Sequence, residues 1–240
     1  MENMLGKLLE RIVLLSLEAL GPMHDLVERL LGENRVWWLC ALKKFLRKEN
    51  PFIADESFFE TKEMWKKIYK KHFRSKVDFS SLQIPECPGH VADYWLVIVA
   101  KGMTPEKIFL ACKKTFGAWK WTEKNLDDVA RSVRNSGAGS YAIWVRSSVE
   151  ADEEFKNLSA NELEKRGHKG ITSEERMLLE IMYFEQTSKH LDINNVTLCT
   201  GSRYDDGNVP RVFWLGDGLS VRWDYPDDSS GNLRSRVVVS

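Results

Sequence analysis

Glu185, His190, Asp192, Cys199 and Arg203 bring the densest run of reactive side chains in this chain into one short stretch. A cysteine nucleophile needs a base within hydrogen-bond reach and a third group that orients the base. Cys199, His190 and Asp192 are the residue types for those roles, with Arg203 close by in sequence. Their spacing argues the other way. His190 and Asp192 stand two apart in a segment joining a helix to a strand, and Cys199 falls in mid-strand, whereas nucleophiles more often sit at a turn. The plainer arrangement has His190 and Asp192 closing the helix and Cys199 packed in the core. A small hydrolase or transferase with its site around residues 190–203 is therefore the second reading of function, not the first.

Other ligand patterns are incomplete. Cys87-Pro-Gly-His90 has the spacing of half a zinc site, but zinc takes four ligands and no second pair follows. Glu150, Asp152, Glu153 and Glu154 would gather a divalent ion only by converging, and consecutive acids on a helix point apart. Gly137-Ala-Gly139-Ser140 follows a helix and precedes a strand, the reverse of the order a phosphate loop requires. No metal or cofactor is expected.

Cations carry the first reading. The segment 62–76 holds Lys62, Lys66, Lys67, Lys70, Lys71, Arg74 and Lys76, with Trp65, Tyr69 and Phe73 interleaved. On a helix the aromatics face one way and the lysines spread over the other side, a face able to hold a phosphate backbone or anionic lipid; a solvated face balanced by acids elsewhere in the chain is the competing arrangement. From Ile193 to Ser240 there is no Lys and no Glu; the bases are Arg203, Arg211, Arg222, Arg234 and Arg236. Arg222, Arg234 and Arg236 side by side would form a patch of planar donors suited to phosphate or carboxylate. Pairing with Asp224 or Asp217 is the competing arrangement. The chain is thus expected to be a non-catalytic binding protein, with nucleic acid as the ligand class. Formal net charge is zero, so the attraction must be local. The acid-rich stretch 150–192 complements the basic helix, within one chain or between two, and so allows a protein partner or self-association.

Widely spaced Cys40, Cys87, Cys112 and Cys199 predict free thiols in a reducing compartment. Glu10, Arg11 and Glu18 interrupt the apolar stretch Ile12–Leu17, and no run reaches the length of a membrane span. A soluble cytoplasmic protein with no membrane partner is expected.

The elements that must position these groups change character along the chain, and the fold class expected is α+β. Residues 1–74 read as a helical module: a stripe at Leu5, Leu8, Leu9, Ile12 and Val13, a break at Gly21-Pro22, and further helices around 22–31, 36–45 and 58–73. Residues 75–89, with Ser pairs, Pro85, Pro88 and Gly89, read as a linker. The domain 90–240 opens with strands at 94–100, 118–121 and 141–146. Thr104-Pro105 starts one intervening helix, and Thr122 caps another reaching Val133. Capping boxes at Ser159/Glu162 and Thr172/Glu175 start two more helices. Four strands at 196–202, 209–215, 219–225 and 233–239 predict a C-terminal antiparallel β-meander, with Gly216-Asp-Gly218 as a hairpin turn. A fragment from about residue 88 to the end is expected to fold alone, since roughly 150 residues support one core.

The stretches YAIWVRSSVEADEEFKNLSANEL (141–163), KHLDINNVTLCTGSRYDDGNVP (189–210) and LRSRVVVS (233–240) resemble a family of uncharacterised proteins from environmental bacteria with small genomes. FLRKENPF (45–52) is similar to a segment near the start of other proteins of that kind, which implies a separable N-terminal module. The resemblance implies no activity and no catalytic residue.

Overall fold

A computed structural model of the chain describes residues 16–32, 38, 42, 45, 46 and 55–240. Its compact units divide between Ser57 and Phe58. In the first, helix α1 runs Leu17–Leu31 and closes at Gly32, whose N–H donates to Glu28 O. Gly21-Pro22, expected to separate one helix from the next, lies inside α1. Proline deletes a single N–H from the ladder, and here the helix continues on both sides of it. The helices expected around 5–13 and 36–45 lie outside the described residues, apart from the isolated positions named above.

The second unit, Phe58–Ser240, is an α+β assembly. Helix α2, Asp55–Phe73, buries Trp65, Ile68 and Tyr69, which share one face at i, i+3 and i+4. That face lies on strand β1, Tyr94–Val99. Trp65 Nε1 donates to Leu96 O at 2.9 Å and the Tyr69 hydroxyl donates to Ile98 O at 2.7 Å. Ala100 N–H donates back to the Tyr69 oxygen at 2.9 Å. These main-chain groups line the edge of β1 away from its neighbour, so the helix seals an otherwise open sheet edge. The basic helix therefore belongs to the α+β unit. The stretch 75–89, expected to be a linker, packs as well: Phe79 is buried, and Pro85 O accepts from Trp144 Nε1 at 2.8 Å. Its Pro/Ser/Gly content marks irregular backbone, which is compatible with packing.

β1 pairs antiparallel with β4, Tyr141–Arg146, the centre of a three-stranded sheet completed by β10, Val238–Val239. Helix α3, Pro105–Phe116, opens on Thr104 as expected. Helices α5, Ala160–Lys165, and α6, Ser173–Thr187, start with both predicted capping boxes formed. The apolar sides of α3 and α6 share one core with β1 and β4. The helix expected from Thr122 to Val133 is a single turn, α4, Leu126–Val129, capped by Asn125. Strand β3, Ala130–Ser132, follows it directly and pairs with β6, Ser202–Tyr204.

The C-terminal sheet corrects the expected meander. It has five strands in the order β2-β8-β7-β5-β9: β2 Ala118–Lys120, β8 Gly218–Asp224, β7 Val209–Leu215, β5 Val196–Leu198 and β9 Leu233–Arg234. The β7–β8 hairpin turns at Gly216, with φ of 64°, as its sequence requires. Both outer pairings, β2 with β8 and β5 with β9, are parallel. Two expected strands divide. Residues 196–202 break at Thr200-Gly201, and 233–239 split between β9 here and β10 in the other sheet. Period-two patterning identifies a strand but not which sheet it joins.

Candidate nucleic-acid interface

On α2 the lysines are only partly available. Lys66 is paired with Glu63 at 2.7 Å, and Lys71 with Glu185 of α6 at 2.8 Å. The His72 ring also meets Glu185, at 2.9 Å. Burial pushes the Glu185 carboxyl up, but hydrogen bonds and charge from Lys71 and His72 outweigh it and hold the group below its ordinary range. Basic helix and acidic stretch thus meet within one chain at Glu185. Lys67, Lys70 and Arg74 are exposed and make no ion pair among the described residues.

The C-terminal arginines do not form one patch. Arg234 is buried and paired with Glu153 at 2.5 Å. Arg236 is buried too, donating to Ser148 O, Val149 O and Asp192 at 2.7–2.9 Å. Arg222 lies elsewhere, on one face of the five-stranded sheet. The register sets Arg222 opposite Arg211, and Ser220 opposite both Phe213 and Trp119; cross-strand partners share a face. The Arg222 guanidinium lies 5.1 Å from the Trp119 ring centre and 5.8 Å from that of Phe213. Arg211 is 5.6 Å from the same Phe213 ring.

Of Arg211 and Arg222, one has an acid among the described residues. Arg211 is held by Asp224 at 2.9 Å. Arg222 donates Nε to Ser220 Oγ at 3.1 Å and has no carboxylate partner among the described residues. Trp119 is 54% exposed and Leu215, beside the turn, 52%. The rest of the face is covered: Val196, Leu198, Val209 and Leu233 form a small core with Ala160 of α5. What remains is a strip of two rings and two guanidiniums across three strands, with Trp119 exposed, Arg211 and Arg222 half-buried, and Phe213 half-buried against that small core. The sequence points to Arg211 and Arg222 as bases of the tail but gives no signal for Trp119 beside them. Alternation along 209–215 places Phe213 with Arg211, whereas the pairing that brings Trp119 beside them is a long-range parallel contact.

The reactive cluster around 190–203 is assembled differently from a triad. Asp192 accepts from Arg176 Nε at 2.8 Å, from Arg236 Nη2 at 2.7 Å and from the Thr197 hydroxyl. Arg176 also donates to Glu180 at 2.8 Å, one helical turn along α6. All four charged groups are buried. Burial pushes the Asp192 carboxyl up, and Arg236 and Arg176 more than reverse this, leaving it below the usual carboxylate range. His190 bonds Glu180 instead, at 3.0 Å, and stacks on Trp214 and Phe184. Cys199 Sγ lies 3.8 Å from Thr197 O, fully buried, with its thiol pushed well up by burial. No hydrogen bond joins Cys199 to His190. Arg203 donates to Thr200 O and Ser202 O, both at 2.9 Å, and to Glu164 at 3.0 Å.

Glu150 is taken up by the main-chain N–H groups of Asn194 and Asn195 at 3.1 and 3.0 Å. Among the described residues no group of three or more His, Cys, Asp or Glu could hold a metal ion. Nor is any described helix long and apolar enough to cross a membrane. Comparison with family models, with curated proteins and with solved structures found no match.

Proposed function

We propose that this protein is a non-catalytic binding protein that takes single-stranded nucleic acid on the open strip of its five-stranded sheet. Arg222 carries the reading, as a guanidinium without an acid among the described residues, set between two aromatic rings on a partly exposed sheet face. Sequence-tolerant single-strand binders combine such rings, on which bases stack for about 1–3 kcal/mol each, with cations that follow the backbone. The register adds support. Arginines directly opposite on neighbouring strands repel, Asp224 offsets only Arg211, and a bound phosphate would offset Arg222.

Fluorescence anisotropy with labelled dT and U oligonucleotides at low salt tests the proposal. Binding is expected, weakened about tenfold by Trp119→Ala, in line with the loss of one stacked base, and further by Arg222→Glu. Absence of binding to either probe at low salt sinks it. Binding that survives both changes but is lost with Lys67→Glu and Lys70→Glu moves the interface to α2.

The Cys/His/Asp reading has no geometric observation in its favour, since Asp192 and His190 serve other partners.

A further inference from the structure

Away from the sheet strip, two cavities of about 660 and 900 Å³ adjoin, sharing Val133, Arg134 and Ser240 in their walls. Both volumes are in the range of small-molecule sites, about 300–1,000 Å³. Two loops meet closely beside them. Gly201 N–H donates to Ile171 O at 3.1 Å. A Cβ on Gly170 would fall 1.6 Å from Thr200 Oγ1, and one on Gly201 would fall 2.6 Å from Gly170 O. That approach fixes a polar wall at the start of α6. Ser132 Oγ is 2.7 Å from Ser202 Oγ and donates to Glu174 Oε2 at 2.9 Å, while Ser202 Oγ accepts from Ser173 N–H at 3.0 Å.

Arg134 stands where the cavities join. Its Nε and Nη2 donate to Glu175 at 2.8 Å each, and Nη2 also donates to Gly170 O at 2.7 Å. Nη1 meets no hydrogen-bond partner among the described residues. The planar guanidinium is therefore held by a buried acid with one donor edge unspent, the arrangement that presents a cation to a ligand without leaving it mobile. The other arginines in the wall are engaged: Arg203 with Glu164 at 3.0 Å and Arg131 with Asp205 at 3.6 Å. Lys169 is exposed, lines the smaller cavity and has no ion pair among the described residues. Tyr141 lines the larger cavity, but its hydroxyl is out of solvent, and burial together with the Glu175 carboxylate beside it pushes its pKa well up. Val133, 75% exposed, presents an apolar side chain between the two cavities.

We propose that this groove binds a small organic oxyanion, its phosphate or carboxylate between Lys169 and Arg134 and its uncharged body across Val133. The sheet strip has no role in it.

Isothermal titration with ribose 5-phosphate and with succinate separates the two anion classes. One of them is expected to bind, about tenfold more weakly in Lys169→Ala, as for loss of a charged hydrogen bond. Lys169 is exposed and makes no ion pair among the described residues, so the Lys169→Ala variant is expected to keep its melting temperature while binding the probe more weakly, which a merely structural lysine would not do. Trp119→Ala should leave the affinity unchanged. Heat from neither probe, or affinity indifferent to Lys169→Ala, overturns the proposal.

Discussion

Asp192 lies between the guanidiniums of Arg176 and Arg236 with all three side chains out of solvent. Breaking such a pair by removing one member costs about 3–5 kcal/mol, since the remaining charges stay buried without a counter-ion. Urea unfolding of Asp192→Asn at neutral pH is expected to show a loss of that order. The sign with pH follows from the depressed folded pKa. Asp192 contributes fully above its unfolded pKa of about 3.9, and its contribution is lost as pH falls through the lower folded value. The gap between wild type and Asp192→Asn should therefore narrow in unfolding curves taken below about pH 3.9. A constant gap would mean that charge pairing is not what Asp192 supplies. Burial of Cys199 gives a second expectation: a thiol reagent should reach it only at the rate of unfolding, while half-buried Cys87 reacts first.

At the scale of elements, α2 acts as the cover of a sheet edge. Trp65 and Tyr69 satisfy Leu96 O, Ile98 O and Ala100 N–H, so a chain cut after the helix would leave those groups open and the aromatic face of the core bare. The fragment expected from sequence to fold alone, starting near residue 88, should instead aggregate or lose cooperative unfolding. A fragment beginning at Phe58 should melt as one unit. Equal melting curves for the two would show that the helix adds nothing to the sheet. Trp65→Ala in the full chain should cost about 3–5 kcal/mol, the usual range for emptying a buried large aromatic site. Gly201→Ala should also destabilise strongly, because its Cβ meets backbone rather than a movable side chain.

For the molecule as a whole, zero net charge means that no general field assists polyanion binding, and the salt dependence reports the local contact. Arg222, the one arginine of the strip without an acid among the described residues, corresponds to a slope of log affinity against log salt of roughly −0.7, at about 0.7 for each single-strand phosphate contact. A titration over a range of salt concentrations checks this. A slope several times steeper would bring Lys67, Lys70 and Arg74 of α2 into the interface, and a flat one would remove phosphates from it.

Local signals were legible from the sequence alone. Both capping boxes, the Thr104-Pro105 helix start, the Gly216 hairpin and the inward aromatic stripe of α2 all stand where neighbouring residues put them. Their causes act over three or four positions, through a cap, a turn or a helical face. The sheets were not legible, because β2 joins β8 across about a hundred residues and β10 leaves its neighbour β9 for β4. The candidate site divides the same way. Arg222 could be read from the sequence as a candidate, but beside Arg234 and Arg236 rather than Arg211. Only tertiary structure decided that Trp119 would lie beside Arg222, that Arg234 and Arg236 would be spent on Glu153 and Asp192, and that Asp192 would serve arginines rather than His190. A charge's partner depends on which distant strand or helix packs against it. That packing follows from burying the whole core at once, and no short stretch of the chain encodes it.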